Sequence, residues 1–591
     1  MKEFLKYVLA TVIGILTFAI VIGIISVISI MGMVASQEAT TVVKEKSVLV
    51  LPLSGIVTER SDGNPFGQMI GSAAESVGLD DMLYAIKRAK TEDDIKGIYI
   101  EAGLFSPDSP ASCQALRNAL VDFKKSGKWI VAYGDQYTQS SYYVASVADE
   151  VLLNPYGTVD WHGLSAQPMF YKDLLAKVGV KMQIVKVGKF KSATEVFTED
   201  QMSDANRLQT SKYLTGIWNS IVGDVAASRK IPVAKLNEYA DSLVTFDDPK
   251  SLVEKKLVDK LLYTDEVKKN IKKRLGLDDD EVVNQMSVID MVNLPAVKNN
   301  SDNKIAVYYA YGDVVDSEMG QTGNVICGPT VSKDLEELMN DDDVKAVVLR
   351  VNSPGGSAYA SEQIWNAVRK LKAKKPVVVS MGGYAASGGY YISCAANYIV
   401  AEPTTLTGSI GIFGMFPDVS DLMTQKLGLK FDVVKTNTHS DFGNVSRPYS
   451  PEEIAILQRY IDRGYGQFLN RVAEGRKMNK ADVHEIAQGR VWLGQDAKKI
   501  KLVDALGGID VAVTKAAELA KLGTDYKTKS YPAAPDFLDQ LLSSLGSNGG
   551  NYLDEQLKAT LGEYYEPVKL IKNVKGQHPL QTRMPYYLVI K

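Results

Sequence analysis

The chain is 591 residues long, too long for one hydrophobic core, and length alone suggests about four domains or fewer large ones. A composition of 45% hydrophobic and 23% charged residues excludes a disordered or fibrous chain. Sixty-seven Lys and Arg against 70 Asp and Glu leave a formal net charge of -3, with no basic stripe, which argues against a nucleic-acid partner. Cys113, Cys327 and Cys394 are too few and too scattered for a disulfide framework or a CxxC-type zinc site, and read as small buried hydrophobes. The only histidines are His162, His439, His484 and His578, so a His-rich metal centre is excluded and a catalytic base has to be sought elsewhere.

From Tyr7 to Gln37 the chain carries no charge. About 20 apolar residues span a bilayer and a secretory apolar region is about 7–15 long, so this stretch is expected to be an uncleaved anchor. Cleavage near Val34-Ala35-Ser36 is the alternative. Lys2 and Lys6, offset by Glu3, place the N-terminus in the cytoplasm and about 550 residues on the far side.

Beyond the anchor the chain repeats. Tyr142 to Pro155 (YYVASVADEVLLNP) aligns with Tyr390 to Pro403 (YYISCAANYIVAEP) at an offset of 248 residues without a gap. Upstream, the stretches from Lys96 and Lys128 match those from Lys345 and Lys375. Each unit alternates short apolar strands with helices, as in Val347–Val351, Ala360–Leu371 and Pro376–Ser380, which implies crossover units and mostly parallel pairing. The expected organisation is a tip and anchor at 1–37, a first repeat at 45–294 and a second at 304–535. The polar stretch Leu294 to Lys304 links the two, and 536–591 is a tail with no assigned role.

Two glycine-rich turns follow predicted buried strands of the second repeat: Asn352-Ser353-Pro354-Gly355-Gly356 and Ala385-Ala386-Ser387-Gly388-Gly389. Both fall at one edge of the sheet. Such turns present bare backbone N–H groups, the usual means of holding an oxyanion, beside a serine at a strand-to-helix junction. The alternative is that the glycines allow tight packing and Ser387 is a helix N-cap. A serine nucleophile needs a base. In the first repeat, Val187-Gly188-Lys189-Phe190-Lys191-Ser192-Ala193 offers Lys191, hemmed by Phe190 and Ala193. A lysine acts as a base if burial lowers its pKa from about 10.4 toward 7, at a cost of about 4 kcal/mol. The alternative is a solvated lysine, as expected for Lys186 and Lys189.

NSPGG, SMGGYAASGGYYIS and LTGSIGIFG in the second repeat, with VGKFKSATEVF in the first, resemble the signal peptide peptidases of the long, duplicated bacterial form, protease IV. The resemblance covers most of the chain beyond the anchor. It implies an α/β architecture of tandem crotonase-like, Clp protease-like ββα domains and a serine endopeptidase that needs no cofactor or metal. Carried over motif by motif, Ser387 is the nucleophile, Lys191 the general base and Ser409 the group that holds the lysine amine. Gly356 and Gly388 supply the oxyanion N–H groups. The family further implies released signal peptides as substrates, a homotetramer, and a place in the inner membrane with the catalytic domains on the periplasmic side.

The repeat supplies a check of its own. Ser387 falls opposite Gln139, Gly355-Gly356 opposite Asp108-Ser109, and Lys191 opposite His439. Each half lacks what the other retains, which points to one composite site. Three other classes were weighed. Ser301-Asp302-Asn303-Lys304 matches penicillin-binding motifs, but those should stand apart and no Lys-Thr-Gly exists. An acyl-CoA enzyme of the same fold needs neither the Ser387–Lys191 pair nor an anchor. An inactive peptide-binding scaffold stays open at this point.

Overall fold

The computed structural model describes residues 42–61, 77–295, 299–319, 321, 323–533 and 580–584, with isolated positions between 6 and 22. Among the described residues no helix is long and apolar enough to cross a membrane, and the expected anchor at Tyr7–Gln37 lies largely outside them.

The two repeats build two sheets of the same plan. In the first, Val77–Gly78, Ser47–Thr58, Ile95–Pro107, Trp129–Tyr137, Glu150–Val159 and Lys260–Leu261 lie side by side, with Gln285–Met286 also against Ser47–Thr58. Every pairing is parallel. In the second, Lys527–Tyr531, Lys304–Tyr311, Val344–Ser353, Val377–Ala386 and Leu406–Gly408 follow in turn, ending on the antiparallel Val491–Leu493. Strands covered on both faces read as continuous apolar runs, as Val344–Ser353 and Val377–Ala386 do.

The duplication reaches the detail of side chains. Each half carries a 26-residue helix, Asp204–Arg229 and Pro451–Arg476, begun by a serine whose hydroxyl accepts a backbone N–H and stopped by a left-handed lysine. The last arginine of each pairs with an aspartate, Arg229 with Asp259 at 2.9 Å and Arg476 with Asp504 at 2.6 Å. The buried hydroxyls of Tyr142 and Tyr390 each donate to a leucine carbonyl, Leu257 and Leu502.

A third sheet joins the halves. Its order is Val325–Cys327, Asp313–Val315, Gly355–Ser357, Leu580–Arg583, Phe413–Asp418 and Lys181–Lys186. The first half thus lends a strand that pairs antiparallel with Phe413–Asp418, from Lys186 opposite Phe413 to Lys181 opposite Asp418.

The halves are also joined through a buried polar cluster. Arg350 binds Glu59 at 2.5 Å, and Asn352 Nδ2 donates to Glu59 at 3.0 Å and Asp108 at 2.6 Å. Both members of the ion pair are about 5% exposed or less. Removing one partner strands the other charge in the interior, so Glu59→Ala is expected to cost about 3–5 kcal/mol in denaturant unfolding. Replacing both by apolar residues, Glu59→Leu with Arg350→Met, is expected to recover most of that loss.

Candidate active site

The serine stands where the sequence places it, at the end of the wholly buried strand Val377–Ala386 and directly before the short helix Gly388–Ser393. Its backbone is at φ 55°, ψ -110°, a left-handed conformation that costs a non-glycine residue about 1–3 kcal/mol. Two backbone bonds hold it there: Ser387 N–H donates to the Gly408 carbonyl at 2.7 Å, and Tyr391 N–H to the Ser387 carbonyl at 2.8 Å. The Ser387 hydroxyl makes no capping bond, which sets aside the N-cap reading. It faces a lysine from the other half.

Lys191 is carried in on the strand Lys181–Lys186. Val187 N–H donates to the Ile412 carbonyl at 3.1 Å, extending the pairing, and Phe190 N–H donates to the Gln488 carbonyl at 3.0 Å. The lysine stem then passes Gly489, which sits at φ 77°. A Cβ there would lie 2.6 Å from Lys191 Cβ, so only glycine leaves the passage open. Arg490 closes the outside, its guanidinium 5.0 Å from the Phe190 ring and 4.2 Å from the Trp492 ring.

Lys191 Nζ lies 2.8 Å from Ser387 Oγ and 3.1 Å from both the carbonyl and the hydroxyl oxygen of Ser409. Lys191, Ser387 and Ser409 are each 0% exposed. Burial pushes the lysine pKa well below that of an ordinary amine, with no charged partner to offset it. A neutral amine has two N–H donors and one lone pair. The two oxygens of Ser409 take the donors, which leaves the lone pair for the Ser387 O–H. Ser409 is itself left-handed, at φ 49°, and its N–H donates to the Arg490 carbonyl at 2.7 Å.

The two glycine turns meet beside this group. A Cβ on Gly355 would stand 2.8 Å from the Gly388 nitrogen, so the Gly355–Ser357 strand and the start of the Ser387 helix are in contact. Gly356 and Gly388 therefore flank one small space next to Ser387 Oγ. The corresponding places in the first half are filled. Gln139, opposite Ser387, binds the loop at His162 and Gly163 through its amide. Asp108, opposite Gly355, is buried with its pKa raised to about 6 by desolvation and accepts from Ser112 and Asn352. His439, opposite Lys191, lies 3.3 Å from Glu453. His484 pairs with the Tyr465 hydroxyl, and His578 lies outside the described residues.

Sequence reasoning missed the groups that brace the lysine loop. Gln209 donates to the Phe190 carbonyl and Ser192 hydroxyl at 3.0 Å, and its side-chain oxygen accepts from Val491 N–H of the other half. Gly489 and Arg490 were also missed. No local motif marks them, since their roles exist only once the halves pack.

Comparison with known proteins agrees with this arrangement. Residues 122–278 and 369–523 match peptidase family S49, one match in each repeat. The chain belongs to peptidase family S49. Residues 322–405 of this S49 chain also match the Clp protease family, consistent with two tandem Clp protease-like domains. It is 37% identical to Protease 4 of Salmonella typhi over 87% of this chain and 85% of that protein. It is 34% identical to Protease 4 of Haemophilus influenzae over 91% and 90%. To the chloroplastic serine protease SPPA of Arabidopsis thaliana it is 29% identical over 88% and 76%. The S49 chain is a serine peptidase.

The lowered lysine pKa has a consequence for stability. Between the folded pKa and the unfolded value near 10.4, the unfolded chain binds more protons, so wild-type stability rises with pH by up to about 1.4 kcal/mol per unit. Lys191→Met lacks this term. The variant is expected to melt no lower than wild type at pH 7, with wild type gaining on it as pH rises toward 10.

Proposed function

We propose that this serine peptidase is a membrane-anchored endopeptidase that degrades signal peptides after their release, through a Ser387–Lys191 dyad and an acyl-enzyme intermediate. The observation that carries the reading is the 2.8 Å approach of a fully buried, uncharged-favouring amine to a strained serine hydroxyl. Lys191 takes the Ser387 proton as Oγ attacks the peptide carbonyl, and Ser409 holds the amine in line. The N–H groups of Gly356 and Gly388 receive the oxyanion. Lys191 returns the proton to the leaving amine, and water then hydrolyses the ester. The apolar stretch Tyr7–Gln37 supports a single anchor in the inner membrane, cytoplasmic N-terminus and periplasmic domains. The family resemblance supports signal peptides as substrates and a homotetramer.

The test is labelling with a fluorophosphonate probe, with casein and a synthetic signal peptide as substrates. Ser387→Ala and Lys191→Met are each expected to lower labelling and cleavage at least about 1,000-fold while melting like wild type. Faster cleavage of the signal peptide than of a polar peptide of equal length is expected as well. A folded wild type that neither labels nor cleaves would favour an inactive peptide-binding scaffold. Labelling that survives Lys191→Met would assign the base elsewhere.

A further inference from the structure

The C-terminal segment contributes the central strand of the third sheet. Leu580–Arg583 lies between Gly355–Ser357 and Phe413–Asp418, antiparallel to both. Without it, two strand edges face each other across an open slot, a form that takes up an extended peptide through main-chain hydrogen bonds. The register sets Thr582 opposite Gly356 and Arg583 opposite Gly355. The Thr582 carbonyl oxygen would collide with a Cβ on Gly355, the same Cβ that would stand 2.8 Å from the Gly388 nitrogen. That carbonyl is therefore directed at the space between the two turns, beside Ser387.

We propose that Leu580–Met584 is the resident ligand of the substrate groove, an internal competitor that an incoming peptide has to displace. The inference rests on Ser387 being the nucleophile. Ser387 has no exposed surface in this arrangement, although a serine that attacks other chains has to be reachable. Thr582 is equally buried, its hydroxyl donating to the Gly356 carbonyl at 3.1 Å. Past it, Arg583 forms an ion pair with Asp313, and Met584 N–H donates to the Pro354 carbonyl at 2.8 Å. Met584 belongs to the buried apolar cluster of the first half. The resident segment also shows what the groove accepts. A Cβ on Gly388 would stand 2.8 Å from Ser361 Oγ and 2.9 Å from Thr582 Oγ1, so the position facing the serine takes a small, uncharged residue.

The experiment measures the rate of fluorophosphonate labelling of Ser387 in the full chain. Arg583→Glu sets like charges against each other at Asp313, and Thr582→Trp overfills the slot. Each is compared with wild type at equal folded fraction, read from melting curves. Both variants are expected to label at least about fivefold faster, as expected when a larger fraction of molecules is open. The charge swap Asp313→Arg with Arg583→Glu is expected to return the rate to within about twofold of wild type. A synthetic peptide spanning residues 579–585 should slow labelling of Arg583→Glu competitively. Equal rates in wild type and both single variants would overturn internal competition and leave the proposed function standing. No labelling and no cleavage in any of them would instead overturn the serine reading beneath it.

Discussion

An amine shut away from water loses the hydration that keeps it protonated, and the rest of this structure follows from enclosing one such amine. A single repeat has no means of doing so. The loop that carries Lys191 is walled by Ser409, Gly489 and Arg490 of the second half, and its backbone is tied to Ile412 and Gln488. Desolvation of several kcal/mol is tolerable only where the surrounding packing is secure. Here that security comes from an antiparallel strand pairing and from Gln209, which bonds to both sides of the junction.

The same enclosure explains how the duplicated halves diverged. Once the lysine of one half served the serine of the other, the first half no longer needed an oxyanion turn. A carboxylate, Asp108, occupies that place and is spent on the Arg350–Glu59–Asn352 cluster that joins the halves. Gln139, where the nucleophile would be, became a loop clamp. Strain at Ser387 and Ser409 is concentrated beside the amine, as expected where geometry is held for chemistry.

Much of this was legible in the sequence because its signals are local. Pro-Gly-Gly and Ala-Ser-Gly-Gly turns after β-branched runs announce strand ends whatever lies around them, and the 248-residue offset needs only self-comparison. The emptied positions Gln139, Asp108 and His439 then pointed to a composite site. What stayed hidden depends on contacts far apart in the chain. Lys181–Lys186 has too few residues to declare its partner, and Gly489 looks like any turn glycine until Lys191 passes it. Leu580–Arg583 is four residues long, too short for periodicity to reveal, and acquires meaning only between two waiting edges.

The most direct measurement is the pH dependence of the single-turnover rate of Ser387 acylation, compared between wild type and Lys191→Met. A neutral lysine base predicts a wild-type rate that falls tenfold per unit on the acid side of one group whose pKa lies well below 10.4, and a flat, far lower rate in the variant. A break near the ordinary lysine value, or a profile that survives the substitution, would contradict the claim that a desolvated amine from the first repeat activates the serine of the second.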